Sequence, residues 1–181
     1  MPGHSHIVLT TERLCLRRLE LADAPALQTI ASERAVAEMT AVIPHPYPVD
    51  GAREFISQLH ANEAANQSVT FAIRRLSDDC LLGNIDVRRT PTPTLGDIGY
   101  ILGLPYWGQG YATEAARAAV VFGFERFGFD AIEAGIFFGN RRSARVLEKS
   151  GFRRIGETER EFPVRGGSRR LEVYRLDWAQ L

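Results

Sequence analysis

Asp97-Ile-Gly-Tyr-Ile-Leu-Gly-Leu-Pro-Tyr-Trp-Gly-Gln-Gly-Tyr-Ala-Thr-Glu114 runs from strand to glycine turn to helix with no spacer between them. Residues 97–104 read as a strand, and Gly99 and Gly103 mark an expected bulge in it. Pro105 has no amide to give a sheet, and Gly108 and Gly110 permit a tight turn. A helix is expected to begin near Ala112 and to occupy 113–127. Successive amides at such a turn, with the first unpaired amides of the helix, form a cradle for an anion. The same passage also fits two glycines that simply turn a strand into a helix. A dinucleotide motif, G-x-G-x-x-G/A, matches poorly: counted from Gly108 its third small residue falls on Thr113, and Tyr106-Trp107 crowd the approach. The Gly-Lys-Ser/Thr of nucleotide hydrolases occurs nowhere in the chain.

Downstream, residues 131–138 are apolar on both faces, as a central strand is. Asn140-Arg-Arg-Ser-Ala-Arg-Val-Leu-Glu-Lys-Ser-Gly-Phe152 reads as a short helix over 141–150, with Asn140 as N-cap, Ser143 in the first turn and Gly151 as the stop. Strands over 152–161 and 170–177 flank Gly166-Gly167. Upstream, residues 12–19 alternate as a strand, and Asp23 caps a helix with Pro25 in its first turn that runs to about Arg34. Residues 35–48 are expected to be irregular, because Pro44, Pro46 and Pro48 lack amides. A helix over 50–66 follows, then strands over 68–76 and 81–89 joined by Ser77-Asp78-Asp79. The reading is a single α/β domain over 1–181, with 1–10 expected as a flexible N-terminal segment.

Composition excludes several classes of function. Of 181 residues 45% are hydrophobic and 24% charged, too apolar for a disordered chain. Lys+Arg and Asp+Glu are both 22, and this balance argues against nucleic acid as a partner. No apolar run approaches the roughly 18–20 residues of a membrane span, and the first residues lack a secretory pattern, so no membrane partner and a cytoplasmic location are expected. Cys15 and Cys80 show no C-x-x-C spacing, His4 and His6 fall in the terminal segment, and His45 and His60 stand alone, so no metal is expected. The arginine-rich stretch 141–175 suits either an anionic ligand or a solvated face.

Taken with Thr11-Glu12-Arg13-Leu14-Cys15-Leu16-Arg17 and Ile98-Gly99-Tyr100, the blocks 106–115 and 140–152 resemble the GNAT superfamily of acetyl-CoA-dependent N-acetyltransferases. Within it the likeness is to the branch of the RimJ/RimL ribosomal-protein N-terminal acetyltransferases, and it extends over nearly the whole chain. The resemblance implies a mixed α/β fold: a twisted, mostly antiparallel sheet of about seven strands, about four flanking helices, and a bulged, splayed strand at the coenzyme site. It implies acetyl-CoA as co-substrate, held by the loop Trp107-Gly108-Gln109-Gly110-Tyr111-Ala112 and the adjoining Thr113. Trp107 stands where the superfamily has a polar residue. Backbone amides near Leu102 and Leu104 are then expected to hold the pantetheine and the thioester oxygen, with Leu102 as the oxyanion donor. Asn140 is placed as a coenzyme contact and Ser143 beside the coenzyme sulfur, where it assists the leaving thiolate.

The general base is left open by the residues. Asp97 on the splayed strand is one candidate, Asp86 and Glu133 are others, and each also reads as a solvated strand-edge charge. Ile43 and Tyr47 lie in the segment that forms one wall of the acceptor groove in the superfamily. The expected acceptor is a protein or peptide N-terminal α-amine, whose pKa of roughly 8 leaves part of it neutral near pH 7. Acetylation of a small-molecule amine is the alternative, and a coenzyme-A-binding module without turnover a further one. The state of assembly is left at monomer or homodimer.

Overall fold

Apolar residues two apart, such as Leu14 and Leu16 or Phe71 and Ile73, put one buried side on each strand, and the sheet collects those sides against a helix. The computed structural model describes residues 7–181, so His4 and His6 lie outside the described residues. Its strands are β1 (Val8–Thr10), β2 (Leu14–Arg18), β3 (Ser68–Arg75), β4 (Leu81–Arg89), β5 (Leu95–Leu102), β6 (Ala131–Phe137), β7 (Arg153–Phe162) and β8 (Gly167–Asp177). Its helices are α1 (Ala24–Ser32), α2 (Arg34–Glu38), α3 (Gly51–Ala64), α4 (Tyr111–Phe127) and α5 (Arg141–Lys149). The sheet has eight strands in the order β1-β2-β3-β4-β5-β6-β8-β7, antiparallel at every step but β5–β6.

Two expectations are corrected. Residues 8–10, assigned to a flexible segment, form β1 and pair with Cys15–Arg17 of β2, which supplies the strand beyond the expected seven. Residues 34–38, assigned to an irregular stretch and to the end of the preceding helix, form a separate helix, α2. The chain breaks at Glu33, whose extended backbone ends α1 and starts α2.

α4 covers one face of the sheet. Ala115, Ala116, Ala119, Val120 and Phe124 pack with Phe71, Ile85, Val87 and Ile132 in one buried cluster. Gly123 permits this closeness, since a Cβ there would stand 2.7 Å from Val87 Cγ1. On the other face α1 and α3 bury Leu27, Ile30 and Ile56 with Leu19, Ala72 and Leu81. Each fully buried side chain of this size contributes about 1.5–3 kcal/mol.

The feature that positions the site is a parting in the sheet. β5 pairs with β4 without a shift from Gly96 through Leu102, but with β6 only over Leu95–Asp97. β6 goes on beside β8 as far as Phe137. The irregularity read from Gly99 and Gly103 therefore takes the form of a separation from β6, while the register with β4 is unbroken. Gly99 has its own reason: a Cβ there would lie 3.0 Å from Asp86 Oδ1 and 3.3 Å from Arg88 Nη1.

Candidate functional site

Amides alternate in direction along a strand, and this decides what the parting exposes. Gly103 donates to the Leu82 carbonyl at 2.9 Å, on the β4 side. The amides of Leu102 and Tyr100 therefore turn the other way, toward the gap that β6 has left. Into this gap opens a cleft of about 600 Å³, within the size range of small-molecule sites.

One end of the cleft is the turn before α4. Gly108 has φ +76° and Gly110 has φ +85°, left-handed values that oppose any side chain with a Cβ. Gly110 is the N-cap of a 17-residue helix and has no side chain to cap it. Glu114 makes the first intrahelical bond, to the Gly110 carbonyl at 3.0 Å, so the amides of Tyr111, Ala112 and Thr113 have no partner within the helix. They point where an anion is favoured.

The loop is buttressed from the turn between β1 and β2. Glu114 accepts from Thr11 Oγ1 at 2.6 Å, from the Arg13 amide at 2.8 Å and from Arg13 Nε at 2.7 Å. Burial disfavours ionisation of Glu114, but these hydrogen bonds outweigh it and hold the carboxyl below its ordinary range. Arg13 also donates to the Gln109 carbonyl at 3.0 Å and lies 4.6 Å from the Tyr111 ring. The Thr11-Glu12-Arg13 passage is thus a support for the glycine turn.

Trp107 joins the turn to the parted strand by donating from Nε1 to the Leu102 carbonyl at 2.8 Å, and Arg142 lies 4.9 Å from its ring centre. On the opposite wall, Asn140 Oδ1 accepts from the Ser143 amide at 3.2 Å and caps α5. Ser143 Oγ is 2.6 Å from the Tyr100 hydroxyl across the parting. Burial pushes the Tyr100 phenol up to about 12, with the bond to Ser143 acting in the other direction, so it stays protonated at neutral pH.

Of the residues expected at the site, Leu102, Trp107, Gly108, Gly110, Tyr111, Ala112, Thr113, Asn140 and Ser143 line this one cleft. Five others do not. Leu104 lies in a 3-10 turn, Leu104–Tyr106, because Pro105 ends the strand, and its side chain is exposed. Gln109 folds back to donate to the Pro105 carbonyl at 2.7 Å. Tyr47 packs over Gly51 and beside the α1–α3 cluster, where burial raises its phenol, and Ile43 also lies off the cleft.

Asp97 is the fifth. It pairs with Arg88, which also donates to Asp86 Oδ2 at 2.5 Å. Burial raises both carboxyls above their ordinary range, against the pull of Arg88. Glu133 is engaged by Arg175 at 3.3 Å. None of these three carboxylates lines the cleft, and among the described residues no carboxylate or histidine lines it.

Sequence reasoning missed Tyr100, although alternation puts it on the side of Ile98 and Leu102. It also missed Val36, which lines the cleft and carries no local signal; Met39 and Thr40, at the start of the segment expected to wall the acceptor groove, do line the cleft.

Comparison with known proteins agrees with this geometry. A family model described as "Acetyltransferase (GNAT) domain" matches residues 13–153. Over 164 residues the chain is 31% identical to YjcK of Bacillus subtilis (strain 168), described as a probable N-acetyltransferase; the match covers 88% of this chain and 91% of that one. A GNAT-family acetyltransferase structure from Bacillus anthracis superposes with a TM-score of 0.81 at 25% identity, covering 94% of this chain and 98% of that one. The structure of Mycobacterium smegmatis RimJ in complex with CoA-disulfide superposes with a TM-score of 0.83 at 22% identity, covering 99% and 91%. Among the described residues no helix is long and apolar enough to cross a membrane.

Proposed function

The chain belongs to the GNAT acetyltransferase family, and from that premise we propose that it transfers the acetyl group of acetyl-CoA to an N-terminal α-amine of a protein or peptide. One observation carries the reading: unpaired helix amides and the parted strand β5 open into the same cleft. The pyrophosphate of acetyl-CoA suits the amides of Tyr111, Ala112 and Thr113. The pantetheine arm suits the free side of β5, where it pairs as an added strand does.

The amine attacks the thioester carbonyl carbon, and the oxygen takes up negative charge facing the Leu102 amide. Collapse re-forms the carbonyl and breaks the carbon–sulfur bond. Ser143 Oγ gives its proton to the departing thiolate and takes one from the Tyr100 hydroxyl, which is protonated at neutral pH and is itself reprotonated from water. The proton displaced from nitrogen passes to water. An acceptor that is partly neutral at working pH needs no more than this, and with Asp97, Asp86 and Glu133 outside the cleft an α-amine is favoured over a lysine ε-amine near 10.4. The RimJ likeness points the same way.

Thiol release from acetyl-CoA, measured with an alanine-led hexapeptide, with spermidine and with an aminoglycoside, tests the proposal. Turnover confined to the peptide supports it. Turnover confined to spermidine or the aminoglycoside refutes the acceptor class, and coenzyme binding without turnover on any amine refutes catalysis.

A further inference from the structure

At the tip of the β7–β8 hairpin Arg165 closes the 3-10 turn Pro163–Arg165, and its guanidinium reaches across to the end of α2. Nη2 donates to the carbonyls of Ala37, of Thr40 at 2.8 Å and of Ile43 at 2.7 Å, and Nε donates to Thr40 at 3.0 Å. These partners are 122 to 128 residues away along the chain. One planar fork thus gathers three carbonyls, a task that suits arginine and not lysine. A cation also suits the end of a helix.

The segment it grips has little else to hold it. Pro44, Pro46 and Pro48 have no amides. Among the described residues, the other hydrogen bond that ties the main chain of 41–48 to a distant element is from Gln28 Nε2 to the Pro48 carbonyl, at 2.7 Å. Yet Thr40, gripped by Arg165, and Met39 before it line the cleft. Neither residue belongs to the glycine turn, β5 or α5, the elements proposed above to hold acetyl-CoA, so they form the part of the lining left to the acceptor.

We propose that Arg165 is a specificity-determining positioning residue: by clasping the end of α2 to the hairpin tip it sets the Met39–Thr40 wall and so governs binding of the acceptor, not of acetyl-CoA. The inference rests on the assignment of the glycine turn to the pyrophosphate.

Arg165→Ala and Arg165→Lys, each confirmed folded by circular dichroism, test it in steady-state kinetics with acetyl-CoA and either the alanine-led hexapeptide or spermidine. The expected result is a tenfold or larger rise in acceptor KM for Arg165→Ala, a smaller rise for Arg165→Lys, and acetyl-CoA KM within twofold of the parent enzyme. Equal rises in both KM values, or an acceptor KM within twofold, overturn the proposal. If the parent enzyme uses spermidine alone, the N-terminal acceptor class fails while the clasp is still measured on spermidine. If it acetylates neither, deuterium exchange decides. Amides of residues 39–43 exchanging at least tenfold faster in Arg165→Ala support the clasp, and unchanged exchange overturns it.

Discussion

On the walls of the cleft proposed to hold the coenzyme, Gly108, Gly110, Asn140 and Ser143 take their places through backbone conformation and a cap spanning three residues. On the wall proposed to meet the acceptor, Val36, Met39 and Thr40 belong to a five-residue helix and its trailing segment, held in place by an arginine more than a hundred residues on. The first wall is made by local rules and the second by long-range side-chain bonds. Local rules tolerate no change in the residue that obeys them. A wall held from a distance can be altered without touching the rest of the site.

The sharpest way to break this contrast is Gly110→Val. A β-branched residue at φ +85° opposes the turn, and its Cβ would stand 3.3 Å from Arg13 Nη2, which braces the loop. Acetyl-CoA affinity is expected to fall about a hundredfold or more, equivalent to roughly 2.8 kcal/mol. Calorimetric titration reads it, and unchanged affinity in a folded variant would remove this turn from the site.

Ser143→Ala comes next. It lies on the same local wall but acts in bond breaking, so kcat should drop about ten- to a hundredfold with acetyl-CoA affinity nearly unchanged. Wild-type kcat, with chemistry limiting, leaves the Leu102 amide as the main device.

Tyr100→Phe is expected to lower kcat about three- to tenfold, roughly one hydrogen bond of about 1 kcal/mol. In a Ser143→Ala background it should lower kcat by less than twofold, because the group it supports is gone. Equal effects in both backgrounds would mean that the two hydroxyls act separately.

The smallest effect is expected for Asp97→Asn, with kcat within threefold, since Asp97 lies off the cleft with Arg88. Its folded pKa is raised by burial, so the native state binds its proton more tightly than the unfolded chain. Wild type should therefore gain stability relative to Asp97→Asn as pH falls from 7 toward the ordinary carboxylate range. Urea midpoints at two pH values show it, and a gap that widens the other way contradicts the assignment.

The sequence was readable in proportion to how local each feature is. The Gly108–Gly110 turn, the Asn140 cap and the alternation of Val69, Phe71 and Ile73 in β3 each rest on neighbours within a few residues, and each could be read from the chain. Asp97 misled because strand register, not residue type, decides whether a carboxylate meets Arg88 or the cleft. Tyr47 misled because a loop tyrosine can pack over Gly51 as easily as line a groove. α2 was hidden because its five residues carry too few periodic positions, and Arg165 gives no sign in sequence of which carbonyls it will find. Gly99 read as a bulge because its real reason, room for Asp86 and Arg88, comes from the neighbouring strand.

Beyond Asp97, β5 and β6 stop pairing, so the sheet is two half-sheets stitched by a three-residue seam and by α4, which bridges them. A ligand lying in the parting beyond that seam fastens both halves at once, and it binds only when both are formed. Occupancy then enters the folding equilibrium by mass action: at a hundred times its dissociation constant such a ligand adds about 2.7 kcal/mol to stability. That is a large share of the roughly 5–15 kcal/mol that holds a domain together. The resistance of this protein to unfolding should therefore rise and fall with the supply of acetyl-CoA around it.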